Sequence, residues 1–209
     1  MLKSKTPILQ KLFPFIQFEK GLKTTVSIEE SVTSDFTKRD LIPQSKDKAW
    51  GPHPTLFDPV QVPLGFNPIT WKQQRILAVA KHYIGVPYVH HHIPALGLDC
   101  SNFTSWVYNY GLGIHLNSNV HTQSMTAGTK LENIPSGVQA FDTPYIDQFK
   151  TGDLLYIYHV HSQVVGHVIM FIDSEHVIDC TIDDHDGVWI RPIKKWYKQN
   201  FAWARRIIQ

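Results

Sequence analysis

Among the side chains that could do chemistry, Cys100 has the most suggestive setting. It lies in Gly97-Leu-Asp-Cys-Ser101, where a turn-rich stretch gives way to Phe103, Trp106, Val107 and Tyr110 at helical spacing. Asp99 is suited to cap such a helix. A thiol in the first turn faces the positive end of the helix dipole, which favours the thiolate, the nucleophilic form. A thiol that attacks an amide also needs a base within hydrogen-bond reach and a third group to orient that base. The opposing reading is structural, because a buried cysteine is most often a small hydrophobe.

The histidines offer a rival chemistry. His90-His-His92, with His159 and His161, could supply imidazoles to zinc. Against zinc, the sequence has no His-Glu-x-x-His motif and its two cysteines lack finger spacing. Neighbouring residues also rarely bind one ion together. No metal and no cofactor is expected.

Other elements must carry the remaining groups to Cys100. Residues 1–66 contain Pro43, Pro52, Pro54, Pro59 and Pro63 and little periodicity, which denies a long helix or a central strand. They read as an extension or small accessory region wrapping the main domain, with a short strand expected over Thr24–Ile28. From Trp71, the residues Ile76, Leu77, Val79, Ala80, Tyr83 and Ile84 make an apolar helical face that ends at Gly85 and Pro87. The next helix begins at the Cys100 segment and is stopped by Gly111. Residues 112–150 read as loop with one short helix. Five β-rich runs then follow, over 153–158, 166–172, 176–182, 188–191 and 201–208, separated by polar turns. Helices followed by an antiparallel sheet make an α+β order, with a domain spanning residues 67–209.

Composition excludes little. The chain has 20 basic and 18 acidic residues and a hydrophobic fraction of 43%. Lys194–Lys195 and Arg205–Arg206 are too short to track phosphates and read as solvated strand ends, so no nucleic-acid partner is expected. No apolar run approaches the roughly 20 residues of a transmembrane helix, and Phe13-Pro-Phe-Ile-Gln-Phe18 is too short and interrupted for a signal sequence. Cytoplasmic placement, a trimmed leader before a periplasmic or secreted protein, and another export signal all stay open.

In order and spacing, Tyr83-Ile-Gly-Val-Pro-Tyr88, Gly97-Leu-Asp-Cys-Ser101, Gly152-Asp-Leu-Leu155 and Gly166-His-Val168 resemble the NlpC/P60 peptidases, a papain-like bacterial family. Ala204-Arg-Arg-Ile-Ile208 is similar to that family's last strand, so the resemblance runs from about residue 71 to 208. It implies a papain-like α+β fold, with the nucleophile helix packed on an antiparallel, partly barrel-like sheet. It also implies Cys100 as nucleophile, His167 as base and a third polar residue twelve positions on, which is Asp179. The family more often has a histidine or an amide at that position.

His176 is a rival for the third role, but it lies three residues from Asp179 and so points to the opposite face of a strand. The same parity separates Asp179 from Cys180 and is expected to turn Cys180 away from Cys100, which disfavours a disulfide. Tyr88, Asp99 and Ser101 match positions that line a pocket for the L-Ala-γ-D-Glu end of a murein peptide, with Asp99 facing its free amine. Two departures border the expected cleft: Asn102 replaces the family's glycine, and His90–His92 replace its Trp-Gly-Gly. The expected activity is hydrolysis of a murein-derived peptide after γ-D-Glu. The alternatives are a transglutaminase-like or amidase acyl-transfer enzyme and an inactive peptide-binding module.

Overall fold

The structure is a computed structural model that describes residues 26–34, 57–90, 97–182 and 185–209. Its first element, α1 (Ile28–Thr33), stands where the sequence suggested the end of a strand. Residues 24 and 25 lie outside the described residues. A serine N-cap explains the helix: the Ser27 hydroxyl oxygen accepts the Glu30 N–H, and Glu29 and Glu30 load the first turn with negative charge.

Helix α2 (Pro68–His82) starts three residues before the periodic run at Trp71, because Asn67 caps it and Pro68 occupies a first-turn position. Arg75 of α2 donates to the carbonyls of Gly111 and Val32, and Trp71 hydrogen-bonds Ser31, so α1, α2 and the next helix are stitched together.

Helix α3 (Cys100–Leu112) is buried along its whole length, as a helix enclosed on all sides must be. Gly111 lies inside it, and the stop falls at Gly113, whose left-handed φ of 68° ends the helix. A Cβ on Gly113 would sit 2.4 Å from the Asp58 carbonyl oxygen, so the segment ahead of α2 runs directly over the end of α3. Val60 N–H bonds the Leu112 carbonyl there, and Phe57 sets its ring edge-on to Trp106 and Tyr110.

After α4 (Val120–Thr126) come the strands β1 (Thr129–Lys130), β2 (Leu154–Tyr158), β3 (Val165–Phe171), β4 (His176–Ile182), β5 (Asp186–Pro192) and β6 (Phe201–Arg206). A short helix, α5 (Lys195–Gln199), joins the last two strands. They form one antiparallel sheet in the order β1-β6-β2-β3-β4-β5. Strand alternation divides the core into two faces. Leu154, Tyr156, Val168, Met170, Ile178 and Cys180 pack toward α2 and α3. Leu155, Ile157, Ile169, Phe171 and Val177 pack on the other side with Phe141, Phe149, Tyr197 and Phe201.

Two details of this frame matter for the site. Strands β3 and β4 pair only at Met170↔Ile178 and Phe171↔Val177, and beyond these pairs His167 and Asp179 face one another across an unpaired stretch. Helix α3 packs against both strands. The basic pair Arg205–Arg206 is not a solvated strand end. Arg206 binds buried Asp153 at 2.7 Å, and Arg205 bonds the carbonyls of Ala127 and Gly128. Burial pushes the Asp153 carboxyl up, with Arg206 and Lys150 opposing. The Gly152-Asp153 turn and the last strand, apart in sequence, are therefore one structural clasp.

Candidate active site

Cys100 occupies the first position of α3, and Asp99 is its N-cap. Asp99 Oδ1 accepts the Asn102 N–H at 2.8 Å and Oδ2 accepts the Asn102 side-chain amide at 2.8 Å. The Ser101 hydroxyl lies 2.6 Å from the Ser118 carbonyl and 3.1 Å from Asp99 Oδ1, with one proton to serve both. The helix start is thus held by short-range bonds, with the thiol at the positive end of the dipole.

His167 stands on β3 and Asp179 on β4. Continuing the β3–β4 register one residue past Met170↔Ile178 sets 169 opposite 179, so His167 and Asp179 are diagonal neighbours on one face. His167 Nε2 donates to Asp179 Oδ2 at 2.8 Å, which leaves Nδ1 for the Cys100 side. Burial disfavours the charged imidazole, but the neighbouring Cys100 sulfur and Asp179 carboxylate overcome it, by charge and by hydrogen bonding. Together they push the His167 pKa up to about 10 from its ordinary 6.5. At neutral pH these neighbours favour the charged imidazolium form of His167.

Asp179 is fully buried, and His167 is not its only partner. Arg191 Nε on β5 donates to Oδ1 at 2.8 Å, and the Tyr197 hydroxyl on α5 donates to Oδ2 at 2.8 Å. The Tyr197 ring also stacks on the imidazole, 14° from parallel with centroids 6.2 Å apart. Sequence reasoning missed both residues. Arg191 closed a strand and left no separate signal, and the α5 segment read as a turn.

His176, the rival third residue, lies at the start of β4, is 45% exposed, and bonds Asp173 instead. Cys180 does not turn away from Cys100 as expected. Alternation does place it on the face opposite Asp179, but that face is the helix side, and both thiols belong to one core cluster. Both are free. The Cys180 thiol donates to the Leu98 carbonyl at 3.1 Å, and burial pushes its pKa up, so it is held as an inert thiol.

A cleft of about 410 Å³ opens over Cys100. Tyr88, Asp99 and Ser101, which the resemblance marked for substrate, all line it together with Asn102. Residues 118–120 make one wall, and His159 with Gly166 makes another. Gly166 permits the close approach of His159, since a Cβ there would lie 2.1 Å from the imidazole. The Tyr88 hydroxyl meets His90 Nδ1 at 3.1 Å. Burial, with Cys100 and Asp99 nearby, pushes Tyr88 up to about 12, so it works as a neutral phenol. Of the zinc candidates, His90 and His159 face this cleft, His161 lies in the β2–β3 turn, and His91 and His92 fall outside the described residues. Among the described residues, no group of three or more His, Cys, Asp or Glu is arranged to hold a metal, and no helix is long and apolar enough to cross a membrane.

Helices packed on a six-stranded antiparallel sheet, with a thiol at the head of the buried helix α3, make an α+β architecture of the NlpC/P60 kind. The chain belongs to the NlpC/P60 family: that family's model matches residues 85–206. Among solved structures, an NlpC/P60 family protein from Bacillus cereus is 25% identical with TM-score 0.52, over 64% of this chain and 39% of its own. NlpC1 from Trichomonas vaginalis is 20% identical with TM-score 0.52, over 65% of this chain and 44% of its own. An NLP/P60 family protein from Staphylococcus aureus, described as similar to a lipoprotein, is 21% identical with TM-score 0.51, over 74% and 45% respectively. The match spans less than half the length of each of these three structures. A search of curated proteins finds no match. Family membership, with a buried free thiol at Cys100, is consistent with a cysteine hydrolase.

Proposed function

We propose that this protein is a cysteine peptidase that hydrolyses an amide bond in murein peptides, after γ-D-Glu, with Cys100 as nucleophile, His167 as base and Asp179 as orienting group. The observation that carries the reading is the direction of the imidazole. Nε2 is committed to Asp179, so Nδ1 is left to exchange a proton with the Cys100 thiol, and a cleft opens over that thiol.

In this mechanism the Cys100 thiolate attacks the scissile carbonyl carbon. The helix dipole steadies the oxyanion that forms beside it. Imidazolium Nδ1–H then passes its proton to the leaving nitrogen as the C–N bond breaks, giving a thioester and a free amine. Water, deprotonated at the same nitrogen, cleaves the thioester and restores the thiolate–imidazolium pair. Tyr88, Asp99 and Ser101 receive the substrate's amino end, where Asp99 meets a positively charged amine.

Incubation with L-Ala-γ-D-Glu-diamino acid peptides, read by mass spectrometry, tests this reading. The expected products are L-Ala-D-Glu and the free diamino acid. Intact peptide after prolonged incubation with a protein whose Cys100 is reduced would overturn the substrate assignment. Unchanged cleavage by Cys100→Ala would overturn the mechanism.

A further inference from the structure

The mechanism uses Asp179 but does not explain how a carboxylate survives at 0% exposure, next to a histidine that is charged for only part of the cycle. A buried ion without a fixed counter-charge is costly, and the usual relief is to take up a proton. His167 cannot be that fixed partner, because its charge disappears whenever Nδ1 gives up its proton. Arg191 can. It is 3% exposed, its guanidinium is permanently charged, and Nε holds Asp179 Oδ1 at 2.8 Å. Nη2 of the same head donates to the carbonyls of His185 at 2.6 Å and Gly187 at 3.1 Å, so the group is anchored from both sides.

Tyr197 completes the arrangement from a third element. Its hydroxyl shares Oδ2 with His167 Nε2, and its ring lies along the imidazole. The titratable groups around the pair are thus Cys100 from α3, Arg191 from β5 and Tyr197 from α5, with Cys180 behind β4. With the thiolate and imidazolium formed, the buried set of Cys100, His167, Asp179 and Arg191 sums to zero charge.

We propose that Arg191 and Tyr197 are positioning residues. They hold Asp179 as a carboxylate aimed at His167 Nε2 through both charge states of the imidazole, and so keep Nδ1 turned to Cys100. The inference rests on the Cys100–His167–Asp179 reading. It departs from a purely structural role for Arg191, in which the side chain merely ties down the β4–β5 connection.

The pH dependence of Cys100 alkylation by iodoacetamide tests it, with the labelled peptide assigned by mass spectrometry so that Cys180 does not interfere. kcat and KM are measured alongside. In the unmutated protein, Cys100 should alkylate well below pH 8, as a thiolate paired with an imidazolium does. Arg191→Met leaves the buried set one negative charge in excess. The onset of alkylation should move to higher pH by at least about half a unit, and kcat should fall at least about tenfold with KM little changed. Arg191→Lys, which restores the charge but not the fork, should recover part of both. Tyr197→Phe keeps the stacked ring and should lower kcat about threefold to thirtyfold, which also covers the case in which Arg191→Met fails to fold.

Alkylation profiles and kcat for Arg191→Lys and Tyr197→Phe that superimpose on the unmutated protein, with only thermal stability lowered, would overturn the inference and leave the triad reading intact. A Cys100 that alkylates as an ordinary thiol in the unmutated protein, indifferent to His167→Ala, would overturn the triad reading itself.

Discussion

The two sides of the cleft are built differently. On the sheet side, His167, Asp179, Arg191 and Tyr197 come from four separate elements. Both oxygens of a fully buried carboxylate there are taken by donors 2.8 Å away. On the side of the α3 start, Asp99, Ser101 and Asn102 bond mainly to one another and to the nearby loop, and they line an open cleft. Long-range, saturated bonding fixes orientation, which proton transfer requires. Short-range bonding at a surface cleft tolerates change and suits recognition. The first side should therefore break abruptly and the second by degrees.

The largest effect is expected at the proposed nucleophile and base. Cys100→Ala and His167→Ala should each lower kcat/KM by at least about a thousandfold with the fold retained, because members of a catalytic unit fail together. Peptide-cleavage rates with circular dichroism as a control check this. Cys100→Ala also removes the largest effect that raises the His167 pKa, so the imidazole, followed by NMR, should titrate well below the value near 10. In the intact protein the raised pKa makes charged His167 a stabilising group below pH 6.5. That contribution should fade as pH climbs toward about 10, along with the proton available to the leaving amine.

Asp179 sharpens the comparison from the sheet side. Asp179→Asn keeps the shape and should lower kcat about a hundredfold. Asp179→Ala should in addition destabilise the fold by about 3 kcal/mol, since it leaves Arg191 buried without its partner. Denaturant melts of the two variants separate orientation from charge burial. Equal stability for the two would mean that Arg191 finds another partner.

Asp99 probes the opposite side. Asparagine remains a good cap, so Asp99→Asn should melt within a few degrees of the unmutated protein. It should also lose about tenfold of the preference for a free over an acetylated peptide amine, roughly 1.4 kcal/mol of transition-state binding. Lower stability with unchanged preference would reduce Asp99 to a cap alone. The smallest effect belongs to His176→Ala, which should change kcat/KM less than about twofold, because this ring bonds Asp173 at the surface and is absent from the site. A dead His176→Ala variant would mean that the strand contacts differ in solution from those described.

Much of this site is legible in one dimension. A cap, a thiol and a helix start are local events, decided by dipoles and hydrogen bonds within a few residues, and Gly97-Leu-Asp-Cys-Ser101 states them outright. The period of two along a strand likewise separates Asp179 from His176 and Cys180 before any fold is known. Parity gives a face and not its neighbours. Only the packing of α3 on β3 and β4 decided that the face carrying Cys180 is also the helix side, so that both thiols share one core. The Ser27 cap was readable, and its helix is what the sequence reading overlooked; α5 had no comparable signal. Arg191 and Tyr197 lay beyond reach for a physical reason. An arginine in a strand and a tyrosine in a short helix are ordinary surface residues until a distant carboxylate is buried against them, and which charge ends up facing which is settled only when β4, β5 and α5 pack together.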